Sequence, residues 1–150
     1  MRRGLFWAVL AAALTSACAP QERPLTEEDM KAQFAWDLGP NTIEIYAYPA
    51  DKKDDYALFR SRCSRCHTLA RPINAPYASR ENWTEYVKKM NKRSGNVLLA
   101  ADEEKRIVDF LVFDAKQRKT KPEFQAEGKQ RDELFERVKE ARAAAAPNQK

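Results

Sequence analysis

Residues Cys63-Ser64-Arg65-Cys66-His67 place two thiols and an imidazole within five consecutive positions. C-x-x-C-H is the attachment pattern of c-type haem. Two thiols so spaced at the end of a helix reach the two vinyl groups of one porphyrin and form thioethers. The histidine that follows lies under the ring with its imidazole toward the iron. His67 is the only histidine in the chain, so one haem with one histidine ligand is the most the sequence supports. A zinc site needs four ligands, usually as two pairs, and the only other cysteine is Cys18. A thioredoxin-like pair needs a βαβ context, and none is visible.

A haem iron held by one imidazole either takes a sixth ligand or stays open to small molecules, and that choice largely separates a carrier from an enzyme. Met90 is the only methionine after the motif. With Trp83 and Val87 it occupies i, i+4, i+7 on one helix face, which makes its thioether the expected second axial ligand. Lys88, Lys89 and Lys92 are the alternatives, since a deprotonated amine binds iron, and Met30 lies in an acidic arm further away.

The elements that must position these groups read as helices. Thr26 with Asp29 forms a capping box for a short helix reaching about Trp36, stopped by Gly39-Pro40. Ile43 to Tyr48 alternates and is β-branched or aromatic, so it reads as an extended arm packing its apolar face on the domain. The first core helix is expected over 54–66, with Tyr56, Leu58 and Phe59 as apolar contacts. Pro72 and Pro76 keep 68–79 from being regular helix throughout. Ser79 caps a second helix over about 80–92, stopped by Gly95. Asp102 caps a third over about 103–116, with Ile107, Phe110 and Leu111 on one face. Lys119 to Pro122 reads as a linker, and 128–146 as a charged, alanine-rich helix whose narrow stripe is Leu134, Phe135 and Val138.

Phe59, the C-S-R-C-H motif, Trp83-x-x-x-Val87-x-x-Met90 and Ile107-Val108-Asp109-Phe110-Leu111 together resemble the domain of a class I c-type cytochrome, over roughly residues 52–117. The resemblance implies a mostly α, cytochrome c-like fold: three core helices around one covalently attached haem c, with an extended N-terminal arm and a charged C-terminal helix added. It implies Cys63 and Cys66 as thioether residues and His67 and Met90 as axial ligands; among the basic residues around the motif, Arg71 or Arg80 is the expected partner of a haem propionate. In that family the first and last helices cross using a glycine and an aromatic residue. Phe110 or Phe113 supplies the aromatic; Asp55 stands where the glycine is usual, so the contact is expected to shift to Ala57. The family's Gly-Pro motif is absent, leaving Pro72 or Pro76 to offer the carbonyl that orients His67 Nδ1.

The N-terminus reads as an export signal: Arg2 and Arg3, an apolar run of ten residues from Leu5 to Leu14, then Thr15, Ser16 and Ala17. Two cleavage sites fit, one after Ala19 by a small-x-small rule and one before Cys18 in the lipobox-like Leu14-Thr15-Ser16-Ala17-Cys18. Haem takes two of the three thiols, and a leftover cysteine in an oxidising compartment favours lipid on Cys18. The expected organisation is a signal over 1–17, a tether and arm over 18–51, a cytochrome domain over 52–117, and a linker and charged helix over 118–150. The expected location is periplasmic, lipid-anchored to a membrane.

The chain carries a net charge of +5 that hides an asymmetry. Residues 19–59 hold nine acidic against four basic groups, whereas 60–93 hold nine basic groups against Glu81 and Glu85. A positive rim around a redox centre steers acidic partners to it. An electron carrier between redox proteins is therefore expected, not an enzyme and not a nucleic-acid-binding protein. The alternatives are a haem subunit of a larger membrane-associated oxidoreductase, with 20–50 and 118–146 as subunit-binding segments, and an open-site haem enzyme or gas sensor.

Overall fold

The computed structural model describes residues 23–96 and 98–146, and among them the chain is mostly helical with no strand. The signal, Cys18 and the extreme C-terminus lie outside the described residues. Five α-helices follow in order: α1 (Ala50–Cys63), α2 (Ala70–Asn74), α3 (Arg80–Arg93), α4 (Ala101–Asp114) and α5 (Pro122–Ala145). No helix among the described residues is long and apolar enough to cross a membrane.

α1 begins four residues earlier than its apolar pattern suggests. Pro49 brings a pre-set φ of −57°, and its carbonyl accepts from Lys53 N at 3.0 Å, closing the first turn at Ala50. Asp51 in the first turn and Arg60 and Arg62 in the last complement the helix dipole. The helix stops at Cys63, not Cys66. Phe59 and Cys63, one turn apart, share the inward face.

α3 starts as expected, with Ser79 Oγ accepting from Asn82 N at 3.2 Å. It ends in a Schellman turn. Asn96 N reaches Asn91 O at 3.0 Å and Gly95 N reaches Lys92 O at 3.1 Å, with Gly95 at φ 76°. Asp102 does not cap α4. The helix opens at Ala101, and Glu103 accepts from Ala100 N at 3.1 Å, leaving Asp102 in the first turn.

The core forms where α1 crosses α4. Phe59 stacks on Phe110 at 5.7 Å between ring centroids, Tyr56 lies 5.3 Å from Phe110, and Trp83, Ile73, Ile107 and Leu111 are fully buried around them. Phe110 is thus the aromatic of the crossing, while Phe113 packs edge-on against Tyr48 at 5.0 Å. Ala57 is exposed and takes no part in the crossing. Asp55, at the position where the glycine was expected, turns inward to meet Arg106 at 2.7 Å, so an ion pair stands there.

The N-terminal arm makes two short 3-10 turns, Asp29–Lys31 and Ala35–Leu38, in place of one continuous helix. Thr26 and Asp29 do form the reciprocal cap: Asp29 N donates to Thr26 Oγ1 at 3.2 Å, and Thr26 N donates to Asp29 Oδ2 at 2.8 Å. The 43–48 stretch pairs with no strand among the described residues, and it is not extended throughout: it turns at Tyr46–Ala47, closed by Tyr48 N donating to Ile45 O at 2.9 Å. Ile43 is buried with its N–H on Tyr56 Oη at 2.9 Å, Tyr48 Oη donates to Asp114 at 2.9 Å, and Tyr46 is 82% exposed. Asn74 staples this arm to α2 by donating to the carbonyls of Trp36 and Pro40 at 3.2 and 3.0 Å. Gly39 is required there, because a Cβ would fall 2.4 Å from the Asn74 amide.

The expected linker is only Thr120–Lys121. α4 runs on through a π turn, Ala115–Lys119, and Pro122 then occupies the first position of α5, where a missing N–H costs nothing. The expected boundaries at 51/52 and 117/118 therefore fall inside continuous helical segments. α5 buries Phe124, Arg131 and Val138 at intervals of seven and folds back over both 3-10 turns of the arm. Arg142 donates to the carbonyls of Met30 at 3.0 Å and Ala32 at 2.6 Å.

Candidate haem cavity

The chemistry-bearing residues arrive from four successive stretches of backbone. α1 ends at Cys63 and delivers its thiol inward; the turn after it carries Cys66 and His67; α2 places Arg71 and Pro72; α3 presents Tyr86, Val87, Met90 and Arg93. These side chains, with Phe59, Leu98, Leu99 and Leu111, enclose one apolar cavity of about 210 Å³. Both motif thiols, the only imidazole and the Met90 thioether therefore line the same space. Lys88 and Lys92 do not line it, and Lys89 faces an adjoining recess. Met30 lies in the arm with its carbonyl held by Arg142.

His67 is half-buried, and its Nδ1 lies 2.7 Å from the Thr68 carbonyl. A carbonyl only accepts, so that contact puts the proton on Nδ1 and leaves the Nε2 lone pair free for a metal. Neither Pro72 nor Pro76 is the acceptor. The Pro72 carbonyl is taken by Lys119 Nζ at 3.3 Å, and Thr68 supplies the contact within the motif's own turn. Burial, and then the neighbouring Cys66, push the Cys63 thiol up to about 12, which keeps it a neutral S–H. Both cysteines are free thiols.

The two arginines considered for a propionate have separate fates. Arg71 lines the cavity, but its guanidinium is bidentate to Asp37 at 2.7 and 2.9 Å and lies 4.8 Å over the Phe34 ring. Burial opposes the Asp37 charge, but Arg71 and the Gln33 and Phe34 N–H groups hold its carboxyl below the usual range. Arg80 does not line the cavity: it spans α3 and α4 to Asp109 at 2.7 Å, an exposed tie. With Arg62 on Glu103, three of the nine basic groups in 60–93 are neutralised by carboxylates. Arg60, Arg65, Lys88, Lys89, Lys92 and Arg93 remain exposed with no carboxylate partner among the described residues.

Three site residues escaped the sequence reading. Tyr86 lines the cavity with its hydroxyl buried and unpartnered, and burial pushes that hydroxyl well above its ordinary range. The signal was present: Tyr86 stands at i+3 from Trp83 and i−4 from Met90, on the stripe already read as inward. Arg93 continues the same face. Lys119, taken for linker, is buried beneath α2, where Nζ donates to Ala75 O at 2.6 Å and lies 4.5 Å over the Trp83 ring. Burial lowers its pKa to about 7 against the raising influence of Asp114.

The residues present fit a c-type haem: two thiols at the mouth of an apolar space, two soft or imidazole ligands on its wall, and a buried hydroxyl without an acceptor. Among the described residues no group of three or more His, Cys, Asp or Glu side chains is gathered to hold a bare metal ion. No family model, no curated protein and no solved structure matches the chain.

Proposed function

We propose that the chain is an exported single-haem c-type cytochrome that carries one electron between redox proteins. The observation that supports this best is the convergence of Cys63, Cys66, His67 and Met90 on one apolar cavity, although Met90 is 23 positions from His67. Bound there, haem c supplies a one-electron iron couple. The chain's own groups do the rest. Cys63 and Cys66 Sγ tether the porphyrin through thioethers. His67, its Nδ1–H on Thr68, offers Nε2 as one axial ligand, and Met90 Sδ offers the other. A thioether in that second position raises the potential, which suits a high-potential acceptor. Phe59, Val87, Leu98, Leu99 and Leu111 exclude water from the cavity.

The six unpaired cations form the docking face for an acidic partner, and Cys18 carries a lipid anchor that keeps the protein at a periplasmic membrane surface. Absorption spectroscopy of the purified exported protein tests the core of this reading. The expected result is a covalent pigment that survives acid–acetone extraction, with the thioether–iron band present in the oxidised form and abolished by Met90→Ala. A colourless protein, or a Cys63→Ser/Cys66→Ser variant that keeps its pigment through extraction, overturns it. Intact mass of the mature chain reads haem count and acylation together.

A further inference from the structure

Two cavities meet along one seam. The apolar cavity and a neighbouring recess of about 410 Å³, between the N-terminal arm and α3, share Arg71, Tyr86, Met90 and Arg93. Their chemistry differs. The cavity wall is largely aliphatic, whereas the recess is faced by the rings of Phe34, Trp36 and Tyr77, with Asn82, Lys89 and one carboxylate, Glu85, also on its lining.

Two buried donors bordering the recess lack acceptors. Tyr86 Oη and Trp36 Nε1 are both shielded from water and bonded to nothing. Buried donors in folded proteins are almost always satisfied, so an unpartnered pair beside a cavity points to an acceptor supplied from outside the chain. Arg93 borders both spaces and has no carboxylate partner among the described residues. Arg71 is committed to Asp37.

A porphyrin with an apolar body and two propionate carboxylates needs this division. Its body belongs against aliphatic walls, but a carboxylate there is costly unless it is hydrogen-bonded or paired. We propose that the carboxylate edge of the porphyrin is turned into the recess, with Tyr86 and Trp36 donating to it and Arg93 as its counter-ion, an inference that rests on the haem reading above. The N-terminal arm is then part of the haem site, not an appendage. α5 acquires a purpose as well, because it clamps the stretch that carries Trp36.

The chemistry gives a readout separate from electron-transfer activity. N–H and O–H donors disperse carboxylate charge; removing one leaves more negative charge near the iron, favours its oxidised state and lowers the midpoint potential. The experiment uses the full exported chain with haem attached, comparing wild type with Tyr86→Phe, Trp36→Phe and Arg93→Gln. Tyr46→Phe, altering a ring that is 82% exposed, is the control. A pyridine haemochrome spectrum of the wild type comes first, and absence of thioether-bound haem there overturns the function and this inference together. With haem attached, the propionate bending band in resonance Raman is expected to shift in all three site variants. The midpoint potential is expected to fall in each, and neither quantity moves in Tyr46→Phe. A band and potential identical to wild type in Tyr86→Phe and Trp36→Phe overturn the placement of the edge while leaving haem attachment standing. A shift in only one of them overturns the role assigned to the other.

Discussion

The cavity half of the molecule and the clasp formed by the arm with α5 are held by opposite means. Around the cavity, α1, α3 and α4 meet through stacked and edge-on aromatics, Phe59 on Phe110 and Trp83 against Tyr77 and Tyr86, while Tyr86 Oη and Trp83 Nε1 stay unpartnered. In the clasp, cations reach out to oxygen. Arg142 holds the carbonyls of Met30 and Ala32, and Arg137 donates to Arg23 O at 2.8 Å. Apolar packing is tolerant of a large, flat, apolar insert; a lattice of satisfied polar bonds is not. Unpartnered donors mark the side where the two meet: Tyr86 Oη and Trp83 Nε1 beside the cavity and Trp36 Nε1 in the arm.

The largest effect is expected from breaking the cavity half at its crossing. Phe110→Ala removes a fully buried ring that touches both Tyr56 and Phe59, at a cost of about 3–5 kcal/mol. Denaturant unfolding measures it. A loss under about 1 kcal/mol would show that the α1–α4 contact is not the centre of the core.

Lys119 joins the halves, since it sits between the π turn, α2 and Trp83. Asp114, Arg118 and Arg131 are the charges facing it. Its folded pKa of about 7 lies below the ordinary 10.5, so between these values the unfolded chain binds more protons and stability rises with pH. Below about 7 both states are protonated and this contribution is absent. The gain across the interval is on the order of a few kcal/mol. Urea midpoints from pH 7 to 10 should climb in the wild type, and Lys119→Met should remove that climb.

A smaller effect, but a sharper one, comes from the staple between the halves. Asn74→Ala leaves the Trp36 and Pro40 carbonyls without their donor, costing about 1–3 kcal/mol. Gly39→Ala in the native background drives a Cβ to 2.4 Å from the Asn74 amide. In the Asn74→Ala background that collision disappears, so the two losses combine to less than their sum. Additive losses in a double-mutant cycle would place Gly39 and Asn74 apart.

The cavity half was legible because its signals are local and chemical. C-x-x-C-H puts two thiols and an imidazole within five positions, Ser79 and Gly95 bracket α3, and the 3–4 spacing of Trp83, Val87 and Met90 shows which face turns in. The clasp was not, because its bonds join positions far apart through backbone oxygens, which carry no sequence signal. Arg142 meets Met30 and Ala32 across more than a hundred residues, and nothing in the sequence around either end announces it. Lys119 failed for the same reason: its partners are the carbonyls of Pro72 and Ala75, so a lysine amid polar residues reads as linker. The carboxylates that meet Arg71 and Arg80, Asp37 and Asp109, likewise arrive from elsewhere in the chain, and the sequence around either arginine gives no sign of them.

The smallest expected effect falls on the clasp itself. Arg142→Ala frees the carbonyls of Met30 and Ala32 at the start of the arm, where water replaces the guanidinium as donor, so the global cost stays near or below about 1 kcal/mol. Locally the change is larger. With Arg142 gone, Phe124 and Val138 of the α5 stripe still pack and the Thr26–Asp29 cap remains, but the Met30 and Ala32 carbonyls lose their tie to α5, and the amides of the 29–32 turn should exchange faster than those of α1 and α4. Hydrogen exchange resolved by segment makes this comparison. Acceleration confined to the arm supports a clasp fastened by polar bonds and separable from the aromatic core. Equal acceleration throughout α1 and α4 would mean that the two halves unfold as one unit and that the division between them is only geometric.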